Sequence, residues 1–360
     1  MKLAIIHDYL NQYGGAERVV EAMHELFPEA PVYTSVYDRK KMPASFSKMD
    51  IRVSFMQKLP LIRSQSKKYL MFYPRAFQNF DLSGFDVILS SSSSFAKFVR
   101  KPSGAFHVCY CYTPTRFLWY YDEYISRENI GGLYKAVLPR LIEKLKGQDL
   151  AAAAGVDRYI AISNAVAGRI RDIYQAESEV IFPPVDASNY SAASSNDGSY
   201  LIISRLRGYK RIDLAIKAFN AAGRTLRIIG DGEIMGSLKK LAGKNIVFLG
   251  SLGEADKRAY LAKCKALVFP GEEDFGITPL EAQACGKPVI AYRAGGAIDT
   301  VIEGTTGVFF NQQTEEEVLA AIKKLEGIKW NAEVIRRHSL MFDKAFFKQK
   351  LKDFLSKLPL

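Results

Sequence analysis

Short, mostly apolar runs alternate with amphipathic stretches, and both halves of the chain repeat this alternation. In the first half the runs are residues 3–6, 86–89, 107–112, 158–162 and 180–185; in the second they are 200–203, 226–229, 246–249, 266–269 and 289–291. Runs this short, bounded by Gly, Ser or Pro, predict parallel strands buried on both faces. The stretches between them carry helical spacing: Val19, Val20, Met23 and Leu26; residues 133–154; residues 163–174, opened by Ser163 and Asn164; and Leu214, Ile216 and Phe219. Residues 90–94 are five serines, read as a strand end and a helix cap before residues 95–99. Strands alternating with helices predict two doubly wound α/β domains with ligand in a cleft between them. The Ser-, Ala- and Asn-rich residues 187–199 mark the boundary. The expected domains are thus 1–186 and 200–342, with an amphipathic helix within 343–360 crossing back onto the first.

The chemistry concentrates at the ends of these runs. After the run 266–269 come Pro270, Gly271, Glu272, Glu273, Asp274, Phe275, Gly276, Ile277, Thr278, Pro279, Leu280 and Glu281. Thr278 can cap a helix, Pro279 suits its first position, and Glu281 sits where a capping-box carboxylate reaches back. The turn before that cap leaves backbone N–H groups at a helix N-terminus, where an anion is favoured. On this spacing alone Glu281 can be an ordinary cap and Glu273 a solvated loop acid. Alternatively, both accept charge-assisted hydrogen bonds from hydroxyls of a sugar and a ribose on either side of a diphosphate. Gly14 and Gly15, after the first run, let backbone approach a phosphate. Arg205 and Lys210 bracket one turn after residues 200–203, so both can reach a single diphosphate.

Glu273 and Glu281, with Phe275, Gly276 and Ile277 between them and Ala284, Cys285, Gly286, Lys287 and Pro288 following, resemble the signature of retaining glycosyltransferases of family 4. Gly14, Gly15, Ala16, Glu17, Arg18 and Val19 look like the glycine loop of that family, and Arg205 with Lys210 like its basic pair. The resemblance implies the GT-B fold and metal-independent transfer of a hexose from a nucleotide-sugar. Glu273 would hold the sugar and Glu281 the ribose, while Arg205 and Lys210 would hold the phosphates. Gly14, Gly15, Gly230, Gly250, Ser251, Asp274, Phe275, Gly276, Ile277 and Thr278 would line the donor site, and Arg116 the acceptor side. Many relatives carry a histidine where Tyr112 stands near the reacting sugar. Tyrosine can donate a hydrogen bond there, but with an ordinary pKa of about 10 it is a poor base. In the family a donor phosphate oxygen can act as the base instead. The pattern is most similar to mannosyltransferases of O-antigen and exopolysaccharide assembly, which implies GDP-mannose as donor and a lipid-diphosphate glycan as acceptor.

Charge adds one feature. The net charge is +12, and residues 39–75 hold ten Lys or Arg against the single acid Asp50, so this window carries nine of the twelve. Cations Lys58, Arg63, Lys67 and Lys68 interleave there with Leu59, Leu61, Ile62, Tyr69, Leu70, Met71 and Phe72. Such a segment suits an anionic membrane surface, or is simply a domain's own amphipathic helix with a solvated basic face. A nucleic-acid partner is not expected, because no reading motif accompanies the charge. No secretory leader and no bilayer-length apolar run is visible, so a cytoplasmic protein, peripheral on the inner membrane face, is expected. Four dispersed cysteines read as buried free thiols. No Asp-x-Asp pair sits in a suitable loop, so neither metal nor other cofactor is expected. A nicotinamide enzyme is disfavoured, since no Gly-x-Gly-x-x-Gly follows the first strand. A nucleotide-sugar or membrane-surface binder with weak catalysis, or the same fold using a UDP-sugar, remains the alternative.

Overall fold

The computed structural model describes residues 1–120, 132–193 and 195–359; for Lys67 and residues 132–138 it describes the backbone alone. The chain divides into two compact units, Met1–Pro184 with Phe347–Leu360, and Val185–Phe346.

The first unit is built on a seven-stranded, all-parallel sheet of order β3-β2-β1-β4-β5-β6-β7. Its strands are β1 (Leu3–His7), β2 (Val32–Thr34), β3 (Ile51–Val53), β4 (Val87–Ser92), β5 (Phe106–Cys111), β6 (Arg158–Ala161) and β7 (Ser178–Val180). β1 and β4 are buried throughout, which is why the apolar residues of β1 and of Val87–Leu89 face both sides rather than alternating. Ile6, Tyr33, Met56, Tyr73, Phe77, Ile88 and Phe95 fill the core under one face.

The serine run departs from expectation. β4 continues through Ser92, paired residue for residue with β5, so Ser90 and Ser91 are strand residues with buried hydroxyls. The expected helix over 95–99 is a single turn, Ala96–Phe98, and no serine caps it. Asp8 does so from 85 residues away: its carboxylate accepts from the N–H groups of Ser93 (2.6 Å), Ser94 (3.1 Å), Phe95 (2.7 Å) and Ala96 (2.6 Å), and from the Ser93 hydroxyl (2.8 Å). A second buried acid organises the helices. Asp149, on the helix Gly132–Ala154, pairs with Lys97 Nζ at 2.6 Å and accepts from Thr115 Oγ1 (2.7 Å), Trp119 Nε1 (2.8 Å) and the Tyr174 hydroxyl (2.7 Å). Phe347, Leu351, Phe354 and Leu355 of the C-terminal helix are buried, with Phe347 edge-on to Tyr110 at 5.8 Å.

The second unit has a six-stranded parallel sheet of order β10-β9-β8-β11-β12-β13. Its strands are β8 (Tyr200–Ile203), β9 (Leu226–Ile229), β10 (Ile246–Gly250), β11 (Ala266–Phe269), β12 (Val289–Tyr292) and β13 (Gly307–Phe310). Residues 187–199 are not a free connector. They belong to this unit, with Ala187 fully buried, Ala193 N–H bonded to the Cys285 carbonyl (3.1 Å), and Lys287 Nζ donating to the Ala193 (2.8 Å) and Ser195 (2.7 Å) carbonyls. Composition reads such a stretch as a linker because small polar residues carry no pattern of their own.

In both units strand order reverses beside the first strand, between β1 and β4 and between β8 and β11. Open parallel sheets bind ligands outside the strand C-termini at such reversals.

Candidate donor site and glycine turn

At the reversal of the second unit, the loop after β8 and the loop after β11 converge. Lys210, on the single turn Gly208–Lys210, forms an ion pair through Nζ with Glu273 Oε1. The Lys210 ammonium also lies 4.9 Å from the centre of the Tyr209 ring. Arg205 is exposed and makes no ion pair among the described residues. Arg211 adopts a left-handed backbone at φ 52° and donates to Gln313 Oε1 at 2.5 Å, while Gln313 donates to the Pro270 carbonyl at 3.1 Å. Gln313 thus ties the two loops together, a contact between residues 43 apart that spacing could not show.

Close backbone contacts hold the loops in place. A Cβ on Gly230 would stand 1.9 Å from the Ser204 carbonyl oxygen, and one on Gly296 would stand 2.2 Å from Phe275 Cα. Only glycine permits either approach. Gly296 N–H donates to the Glu273 carbonyl at 2.8 Å, and Phe275 is buried against Phe342 with ring centres 6.1 Å apart.

The helix after this loop, Ile277–Ala284, is not capped as expected. Gly276, at φ 110°, is the N-cap, so Thr278 and Pro279 lie inside the first turn and no side chain caps it. Glu281 does not reach back. It is 3% exposed and faces Lys257 Nζ at 3.3 Å; Lys257, on the helix Glu254–Lys263, also pairs with Glu254 at 2.9 Å. Lys257 was not anticipated, because nothing in sequence links positions 24 residues apart. Gly250, at φ 70°, ends β10, the edge strand beyond β9, and Ser251 after it is exposed, while Asp274, Ile277 and Thr278 are half-buried around the helix start.

In the first unit, the helix Gly15–Leu26 begins at the glycine turn. Gly14 N–H donates to Glu17 Oε2 at 2.7 Å. Tyr112, just past β5, is buried; its hydroxyl donates to the Ala16 carbonyl at 3.0 Å and shares a hydrogen bond with Ser91 Oγ at 2.8 Å. Burial pushes its pKa well above the ordinary value. The Tyr112 hydroxyl is thus bonded to the backbone of the glycine turn. Arg116 is half-buried at the start of the short helix Arg116–Trp119, next to Thr115 of the Asp149 cluster. His107, the other histidine among these strands, is buried and pushed down to about 4, so it is neutral at pH 7. Among the described residues no group of three or more His, Cys, Asp or Glu is placed to hold a metal ion.

Residues 188–337 match the family described as Glycosyl transferases group 1. The second unit carries a group 1 glycosyltransferase domain. Over the whole chain the likeness to solved structures is one of fold. A structure from Anabaena solved with UDP and glucose superposes with a TM-score of 0.73 at 19% identity, covering 99% of this chain and all of that one. Sucrose-phosphate synthase from Thermosynechococcus elongatus gives 0.76 at 16% identity, with 99% of each chain covered. The two parallel-sheet domains are those of the GT-B fold. In sequence, the chain is 26% identical over 207 residues to an uncharacterized glycosyltransferase of Methanocaldococcus jannaschii, spanning 55% of this chain and 58% of that protein. It is 26% identical over 225 residues to an alpha-1,3/1,6-mannosyltransferase of Candida glabrata, spanning 46% and 49%. Over 141 residues it is 30% identical to the GDP-mannose-dependent alpha-(1-6)-phosphatidylinositol monomannoside mannosyltransferase of Mycolicibacterium smegmatis, spanning 34% and 37%. The matched region thus covers less than two thirds of each of these relatives.

Proposed function

We propose that the protein is a retaining, metal-independent glycosyltransferase that moves a hexose from a nucleotide-sugar to a hydroxyl of a lipid-linked or polysaccharide glycan. The observation that carries this reading is the Lys210–Glu273 pair at the sheet reversal of the group 1 domain. It sets a cation that can take phosphate beside a carboxylate that can take the hydroxyls of the attached sugar. Arg205 adds a second cation for the diphosphate. Glu281, buried and backed by Lys257, keeps a carboxylate for the ribose diol.

In the reaction, the bond between the sugar anomeric carbon and the phosphate oxygen breaks while the acceptor oxygen bonds to that carbon. The acceptor proton passes to a departing phosphate oxygen, releasing the nucleoside diphosphate. Lys210 and Arg205 stabilise the charge that grows on that group, a role in which preorganised electrostatics dominates. No protein base is required, and the buried, strongly raised Tyr112 hydroxyl is not one.

The mannosyltransferase relatives favour mannose, and the Mycolicibacterium relative favours GDP as the carrier. The Anabaena protein, solved with UDP-glucose, favours a UDP-sugar as the second reading. Proton NMR of the product tests the mechanism. An α-linked donor is expected to give an α-linked product; a β-linked product would rule out retention.

We propose further that the acceptor lies on an anionic membrane, with residues 52–75 as the contact. Among the described residues no helix is long and apolar enough to cross a bilayer. Met56, Ile62 and Tyr73 anchor this segment in the core, and Tyr69 hydroxyl to Pro60 carbonyl (2.8 Å) folds it on itself. That leaves Phe55, Leu61 (66% exposed), Met71 and Phe72 (47% exposed) facing out among the exposed cations Lys58, Arg63, Lys68 and Arg75. The side chain of Lys67 lies outside the described residues. Co-sedimentation is expected with phosphatidylglycerol vesicles and not with phosphatidylcholine vesicles. Changing Lys58, Arg63 and Lys68 together to glutamate is expected to abolish it, at about 1 kcal/mol per cation. Equal binding of the triple variant would refute this contact.

A further inference from the structure

The glycine turn of the first unit stands on a closed chain of buried polar groups. Glu17 is 1% exposed and His7 2%. Glu17 Oε2 takes the Gly14 N–H at 2.7 Å, and Glu17 Oε1 lies 3.6 Å from His7 Nε2, an atom with no hydrogen-bond partner. His7 Nδ1 lies 3.0 Å from Ser91 Oγ and 3.2 Å from the Ser91 carbonyl; Ser91 Oγ meets the Tyr112 hydroxyl, which reaches the Ala16 carbonyl. The chain starts and ends on the backbone of the turn.

Counting hydrogens fixes its direction. A carbonyl only accepts, so Tyr112 donates to Ala16. Tyr112 has then spent its hydrogen, and Ser91 must donate to it. Ser91 in turn has none left for the ring, so Nδ1 carries a hydrogen and donates toward Ser91. One proton remains to be placed between Nε2 and Glu17. A proton there gives the buried Nε2, which otherwise lacks a partner, the Glu17 Oε1 that faces it, while Oε2 already accepts from Gly14.

We propose that His7 and Glu17 form a buried ion pair that positions the glycine turn, with Tyr112 as its second support. Glu17 occupies the Gly14 N–H, which leaves those of Gly15 and Ala16, free of intrahelical partners, to face an anionic group. The ion pair stands on the geometry alone; only the anion rests on the transferase reading. Two elements carry the pair, β1 and the helix, and the groups packed on it are the hydroxyls of Ser91 and Tyr112. Tyr112 thus gains a positioning role distinct from contact with the reacting sugar.

Nitrogen-15 NMR of the imidazoles tests the pair at pH 7. The chain has four histidines, and His7→Gln assigns the resonances. Both ring nitrogens of His7 are expected in the protonated range, with Nε2 shifting in Glu17→Gln. A bare Nε2 in the wild type, or a spectrum indifferent to Glu17→Gln, overturns the pair. Positioning is tested with inorganic pyrophosphate, following the amides of Gly15 and Ala16. Binding is expected to weaken about tenfold in Glu17→Gln and in Tyr112→Phe, each first shown to melt cooperatively. Unchanged binding in both variants overturns the positioning role. If the wild-type amides do not respond to pyrophosphate, the anion assignment falls while the ring spectrum still decides the pair. Wild-type sugar-nucleotide turnover, measured separately, decides the transferase reading.

Discussion

Lys210→Ala is expected to lower turnover at saturating donor by about 10²–10³-fold, the usual loss when one preorganised group facing developing charge is removed. The effect should fall on kcat more than on KM, because the diphosphate carries more charge as it leaves than in the bound donor. The variant also leaves Glu273 without the ammonium it pairs with. Lys210→Arg keeps the charge and is expected to recover part of the rate, since the planar guanidinium cannot replace a point charge seated over the Tyr209 ring. Steady-state kinetics on the preferred donor checks both. A Lys210→Ala enzyme within threefold of wild type would mean that the phosphates are held elsewhere.

Asp149→Ala is expected to destabilise the first unit by about 3–5 kcal/mol, the cost of stranding one partner of a buried ion pair. Lys97 Nζ, almost fully buried, would keep only Ser94 carbonyl (2.6 Å) and Thr115 Oγ1 (3.0 Å) as partners. Trp119 Nε1 and the Tyr174 hydroxyl would lose an acceptor at the same time. Paired removal, Lys97→Met with Asp149→Leu, should cost far less than either single change, because no charge is then stranded. Urea denaturation followed by tryptophan fluorescence measures this, and a single-variant loss under 1 kcal/mol would contradict it.

The strands were legible because a parallel sheet buries both faces and leaves unbroken apolar runs; β1, β8, β11 and β12 fall on the runs that predict them. The candidate residues at their ends were legible for the same reason, since a strand C-terminus is where an open α/β sheet exposes backbone to ligand. What pairing spans many residues was not legible. Glu281 sits at capping-box spacing, yet Gly276 takes the cap and Glu281 turns to Lys257 instead. The serine run looked like a helix cap, but Asp8 supplies those acceptors from the end of β1 and the serines stay in the strand. Tyr112 stands where many relatives carry a histidine and was read as able to donate a hydrogen bond toward the sugar; its hydroxyl instead bonds Ser91 and the Ala16 carbonyl. In each case local propensity named a residue's capacity, and the tertiary fold decided which partner used it.

In the proposed reaction the second unit binds a nucleotide-sugar, and its cations and carboxylates carry the transfer. Isothermal calorimetry in EDTA with GDP-mannose, UDP-glucose, UDP-galactose and UDP-N-acetylglucosamine, followed by assay for released nucleoside diphosphate, tests it most directly. One donor is expected to bind and be slowly consumed, with consumption abolished in Glu273→Ala. Saturable binding without consumption would contradict the transfer, and no binding by any of the four would contradict the site itself.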